Sequence, residues 1–126
     1  MSASVHFVSL DAAVTALRRI RQPLLLARFA PDPADWVIVA VNQAAAAIDA
    51  FPKVGDHPDR RRDRELTPDL ELEYLYQRLV ERGHAQQVLA LDGGHLYEIA
   101  VSRAIIDGDE AVYGFVTITL RADHMA

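Results

Sequence analysis

The chain of 126 residues contains no cysteine. That absence removes disulfides, thiolate metal sites, cysteine nucleophiles and any chromophore carried on sulfur, the flavin–thiol adduct and the thioester-linked kind alike. Long apolar runs are also missing, since none approaches the roughly 20 residues a helix needs to cross a bilayer. The N-terminal stretch MSASVHFVSLDAAV has no basic start followed by a long apolar segment, so no secretory leader is expected. There is no glycine-rich phosphate loop; Asp92-Gly93-Gly94-His95 is hairpin chemistry. Net positive charge is absent too: the formal charge is -5, and the basic cluster Arg60–Arg64 is interleaved with Asp59 and Asp63. A nucleic-acid-binding face is disfavoured on those grounds. These absences together predict a reduced, cytoplasmic chain with neither nucleic-acid nor membrane partners.

What is present suits one packed domain: half the residues are hydrophobic (51%) and a quarter charged (25%), which supports a core and disfavours disorder. Ser9 is placed to cap a helix over Leu10–Gln22, stopped by Pro23, with Leu10, Ala13, Val14, Leu17 and Ile20 on one face. Leu24–Ala30 reads as a buried strand, and Pro31-Asp32-Pro33 as a turn outside any ladder. Trp36–Val41 is apolar on both faces, as a covered strand should be, and Asn42 can cap a small helix over Gln43–Ala50. Residues from Phe51 to Leu66 read as loop. Thr67-Pro68-Asp69 opens a longer helix over Pro68–Arg82 that ends at Gly83, with Leu72, Leu75, Tyr76, Leu79 and Val80 as its apolar stripe. Three strands follow, Gln87–Leu91, Leu96–Ile106 and Val112–Arg121, joined by Asp-Gly turns. Alternation puts Tyr97, Ile99, Val101, Val112, Gly114, Val116 and Ile118 towards the helices, and Tyr113 and Phe115 on the other face.

The segment IVAVNQAAAAI, the passage LVERGHAQQVLAL and the closing hairpin YEIAVSRAIIDGDEAVYGFVTITL, in the order helix, two strands, helices, three strands, resemble a PAS domain. The resemblance covers roughly residues 24–121. It implies an α+β fold with a five-stranded antiparallel sheet, helices on one face and an N-terminal flanking helix. Residues 1–23 then form the flanking helix and residues 24–126 the PAS-like domain. It further implies a non-catalytic sensory or protein-interaction module of a bacterial-type signal transduction system, with a signalling partner or an output domain not contained in this chain. The family often ends its last strand in an aspartate-containing transfer motif leading to an output helix. Here the corresponding run is Leu120-Arg121-Ala122-Asp123-His124, followed by only two residues.

On this frame a small, mostly apolar ligand is expected between the sheet (Tyr97, Ile99, Val116, Ile118) and the long helix (Leu75, Tyr76, Leu79). No cofactor is predicted, although haem and noncovalent flavin remain open. Haem versions of the fold often take an axial histidine from the long helix, whose body has none; His84 follows it, where helix-end solvation is the plainer use. Of the other histidines, His57 and His95 read as solvated, and no pair has metal-ligand spacing. Val116 and Ile118 lack the polar groups a flavin edge requires. Arg103 has inward parity, with a surface pair to Asp107 or Glu110 as its expected use. A homodimer is expected through Leu10, Val14, Leu17 and Ile20, the alternative being that this helix folds back on its own sheet. The enzyme alternative is a small cone-shaped isomerase or dehydratase fold, which needs a buried Asp–His or Asp–Tyr pair. Glu71 and Glu73 do not converge on a helix, and Ser102 has no base placed for it.

Overall fold

Ser9 does begin the first helix, its Oγ accepting from the Ala12 N–H at 3.1 Å. In the computed structural model, which describes residues 4–31, 34–48, 51–55, 69–91 and 95–120, helix α1 spans Leu10–Arg18. It ends four residues before the expected Gln22. There the Arg19 and Ile20 N–H groups turn to the Ala16 and Leu17 carbonyls, three residues back, and the chain leaves the helix along a path on which the Ile20 and Gln22 carbonyls accept from the Asn42 side chain. A strand that the sequence pattern does not announce precedes it: β1, Val5–Phe7.

Strands β2 (Leu25–Pro31) and β3 (Ala34–Val41) form an antiparallel hairpin, and the short helix α2 (Gln43–Ala46) follows. Pro31 belongs to the ladder, opposite Ala34, instead of lying in the turn. It sits beyond the stretch of β2 that pairs with the last strand, so its missing N–H removes no bond there. Helix α3 (Asp69–Arg82) ends where Gly83 takes φ +81° and its N–H returns to the Leu79 carbonyl at 2.9 Å. Strand β4 (His84–Leu91) starts at once, three residues earlier than expected, followed by β5 (His95–Ile106) and β6 (Val112–Leu120). The expected helix start at Thr67-Pro68 and most of the 51–66 loop lie outside the described residues.

The fold is α+β with a mixed six-stranded sheet. Five strands are antiparallel in the order β3-β2-β6-β5-β4. The sixth, β1, runs parallel to β5 and pairs Val5 with Ala104 and Phe7 with Ile106, just past the point where β4 leaves off at Ser102. The expectation of five strands is therefore one short.

Two cores lie on opposite faces of the sheet. On the inner face α2 and α3 cover Leu25, Ala27, Phe29, Trp36, Ile38, Ile99, Val101, Val112 and Val116. Phe29 and Trp36, directly paired across the hairpin, stack at 5.6 Å and 14°. On the outer face α1 lays Ala13 and Leu17 over Leu26, Ala40, Ala104, Ile106 and Tyr113. Alternation sends successive β2 residues to the two cores, and a register shift opposite Leu26 and Ala27 leaves Val39 as an extra residue of β3, so that Val39 and Ala40 both join the outer core. Helices thus occupy both faces, and α1 is part of the packed domain. Its Leu17 is fully buried by its own chain, a burial that stabilises by about 1.5–3 kcal/mol. Leu17 therefore has no surface left for a second chain. Leu10 and Val14 are half-buried at the margin of the same core, and Ile20, past the helix end, is 45% exposed.

Candidate functional site at the inner face of the sheet

The 3.6-residue period of α3 points Leu75 and Leu79 at the sheet, and the period-2 alternation of β5 and β6 points Ile99 and Val116 at the helix. The four are at most 2% exposed and belong to one cluster. Tyr76 and Ile118 are half-buried against its margin. Tyr97 pairs with Leu120 through its backbone, while its side chain lies outside the described part, as does that of Leu72. Val80, assigned to the same stripe by sequence, is instead 42% exposed at the last turn of α3.

At the centre of this region a glycine sets the distance between helix and sheet. A Cβ built on Gly114 would collide with Cγ1 of Val101, lie 3.2 Å from Cε1 of Phe29 and 3.4 Å from Cδ2 of Leu79. Gly114 is required by space, and its protein neighbours fill that space. The buried members of the inner cluster are all hydrophobic. Such a surface suits apolar groups, and among the described residues Asn42 is the buried polar side chain.

Arg103 stands at the rim. Its backbone N–H donates to the Gly83 carbonyl at 2.8 Å, and its Nη1 reaches the Val80 carbonyl at 3.5 Å, at the C-terminal end of α3. A cation is favoured there by the helix dipole. This use replaces the expected pair with Asp107 or Glu110. Its Nε is buried with no hydrogen-bond partner among the described residues.

Asn42 is buried and does more than cap α2. Its Oδ1 accepts from the Ala45 N–H at 2.9 Å, the expected cap, and also from the Leu24 N–H at 3.1 Å. Its Nδ2 donates to the carbonyls of Ile20 at 3.0 Å and Gln22 at 2.7 Å. Every donor and acceptor of the carboxamide is thereby used. The capping bond is readable from sequence because it is local; the other three join residues about twenty positions apart, and no local pattern carries them.

On the outer face the β5–β6 turn brings Asp109 to Tyr113. Asp109 Oδ1 accepts from the Ala111 N–H at 2.9 Å and Oδ2 from the Tyr113 hydroxyl at 2.9 Å. The backbone bond, then the tyrosine bond, hold the Asp109 carboxyl below the ordinary carboxylate range. Burial, then the neighbouring carboxylate, push Tyr113 above the ordinary phenol value, with Arg28 opposing. Tyr113 is thus a core residue with its hydroxyl at the rim.

His84 is exposed at the first position of β4 and His6 is exposed on β1. His57 and His124, and the side chains of His95, Glu71 and Glu73, lie outside the described part. Tyr74 is exposed, with the Arg78 guanidinium 5.4 Å from its ring centre. Among the described residues no group of three or more His, Asp or Glu side chains is placed to hold a metal ion, and no helix is long and apolar enough to cross a membrane.

A scan against protein-family models finds no match, and a search of curated proteins finds none either.

Proposed function

We propose that the chain is a PAS-like sensory or protein-interaction module, cytoplasmic and non-catalytic, serving a bacterial-type signal transduction system. The observation that carries this reading is the run of five antiparallel strands, β3-β2-β6-β5-β4, with α2 and α3 closing one face over a hydrophobic cluster. The element order between α1 and β6 is the one the resemblance implies. A ligand on this reading is small and apolar and enters between Leu75, Tyr76 and Leu79 of α3 and Tyr97, Ile99, Val116 and Ile118 of the sheet. The close approach at Gly114 directs it to the half-buried Tyr76 and Ile118 end of that region rather than to its middle.

The cone-shaped isomerase reading needs a carboxylate paired with His or Tyr in a closed pocket. The Asp109–Tyr113 pair has the right groups, yet it lies on the outer face, its carboxylate is exposed, and a lowered pKa makes that carboxylate a weaker base. It favours the module over the enzyme.

A homodimer remains the expected partner. With Leu17 consumed internally, it must be built on other surface, and the exposed Ile20, Val5 and Val8 are the apolar side chains at the two ends of α1.

An absorption spectrum followed by native mass spectrometry of the purified chain tests the proposal. A colourless protein carrying a small apolar adduct supports sensing, and a colourless protein without adduct supports the interaction role. A Soret or flavin band contradicts the cofactor-free expectation. Turnover in an isomerase and hydrolase screen that disappears in Tyr113→Phe overturns the non-catalytic reading.

A further inference from the structure

Helices α1 and α2 lie on opposite faces of the sheet, one in each core. One buried side chain touches the chain segments that hold both. The Asn42 carboxamide binds alternate residues of the connection between α1 and β2, namely Ile20, Gln22 and Leu24, and the same Oδ1 that takes the Leu24 N–H takes the Ala45 N–H of α2. The main chain of Asn42 adds a bond from its N–H to the Leu24 carbonyl at 3.1 Å and one to its carbonyl from the Ala46 N–H at 2.9 Å. The amide orientation is fixed by its partners, two carbonyls at the nitrogen end and two N–H groups at the oxygen end.

We propose that Asn42 couples the docking of α1 on the outer face to the seating of α2 on the inner face. Neither helix can leave its place without disturbing a group shared with the other. Moving α2 off its cap frees Oδ1 and turns the carboxamide, which strips the Ile20 and Gln22 carbonyls of their donors and loosens the exit of α1. The reverse displacement removes the acceptor of the Ala45 N–H. Asparagine suits the junction: aspartate keeps both acceptors and loses both donors, and serine keeps a cap but cannot reach across to the α1 connection. The coupling is reciprocal, so an event at the inner face, where α2 lies and the ligand is proposed, is felt by the helix on the outer face. This use rests on the sensory reading above, whereas the coupling itself does not.

Native-state hydrogen exchange on the full chain without ligand tests the coupling. The α2-side perturbation is Ala46→Gly, which weakens the helix at an exposed position without touching the core. The readout is exchange of the hydrogen-bonded α1 amides Ala13, Arg19 and Ile20, with Val101 and Val116 in the sheet reporting global opening. In the wild-type background Ala46→Gly should raise α1 exchange at least threefold beyond any change in the sheet amides. In Asn42→Ser, which retains the α2 cap alone, α1 exchange should start higher, and adding Ala46→Gly should leave it unchanged. Asn42→Asp, which keeps the volume, provides a second background with the same expectation. Exchange of α1 that ignores Ala46→Gly in the wild type overturns the proposal. So does an equal increase in the wild-type and Asn42 backgrounds. A missing adduct in mass spectrometry bears on the sensory reading alone and leaves this coupling untouched.

Discussion

Replacing Gly114 by alanine adds one methyl group where the sheet meets α3, and the outcome depends on two opposing terms. Alanine narrows the unfolded ensemble, which at an unstrained position stabilises by about 0.4–1 kcal/mol. Against this, the new Cβ collides with Val101 Cγ1 and presses on Phe29 and Leu79, all three buried. Val101 is β-branched and held at its χ1 by the strand, so it cannot turn aside freely. Overpacking of this kind costs about 1–3 kcal/mol, and the net expectation is a loss of about 1–2 kcal/mol. At this length that lowers the thermal midpoint by about 3–6 °C per kcal/mol, and the urea midpoint by roughly 0.5–1 M. Val101→Ala, by itself, should destabilise by about 2 kcal/mol through its cavity. Combined with Gly114→Ala it should cost less than the sum, because the added methyl occupies the vacated space. Equilibrium unfolding of the four proteins measures the cycle. A neutral or stabilising Gly114→Ala, or strict additivity in the double variant, would refute the claim that this glycine sets the helix–sheet distance.

Leu17→Glu should lower the thermal midpoint even in dilute protein and cost more than the about 1.5–3 kcal/mol of lost burial, since a charge must enter the outer core; an unchanged midpoint in a scan at low concentration would contradict the internal docking of α1. Gly83→Ala should cost about 1 kcal/mol in urea unfolding because φ is +81° there, and a stabilised variant would refute the left-handed cap. Tyr113→Phe should be less stable than wild type at neutral pH. The lowered pKa of Asp109 means its contribution is present above about pH 4 and lost as pH falls through the folded value. The raised pKa of Tyr113 means its own contribution is present below about pH 10 and lost as pH rises through the folded value. The gap to wild type should therefore close at both extremes, and a pH-independent gap in a stability titration would sink the pairing. Trp36, stacked on Phe29 and 3% exposed, should emit at short wavelength and shift red on unfolding; native emission typical of a solvated indole would place the ring outside the core.

Periodicity made the inner site legible. Leu75 and Leu79 follow from a helical stripe, and Ile99 and Val116 from strand alternation, because both signals are local and repeated. The same alternation correctly sent Tyr113 and Phe115 to the other face, where the fold-back of α1 meets them. What failed was of two kinds. Val5–Phe7 is too short to alternate visibly and draws its stability from β5, so its own residues do not announce it. The path of the chain after α1 is a long-range matter as well, since the Ile20 and Gln22 carbonyls meet the Asn42 side chain some twenty residues away. An apolar face states only that it must be covered, not by what; Leu17 is covered by its own chain. The start of β4 at His84 was hidden by His84 and Gln86, polar and exposed residues on the uncovered part of the outer face.

The pairing of β1 with the far end of β5 has a consequence for biosynthesis. Val5 meets Ala104 roughly a hundred residues later in the chain, so the contact is among the most non-local the molecule makes. During translation the amino-terminal segment, with the apolar side of α1 attached, emerges long before β5 and β6 exist to receive it. It must wait in the open, or under a chaperone, until the last hairpin leaves the ribosome. Residues Val5–Phe7 then take their place in the sheet only after Ala104–Ile106 have been made, and a slow late folding phase should report their arrival.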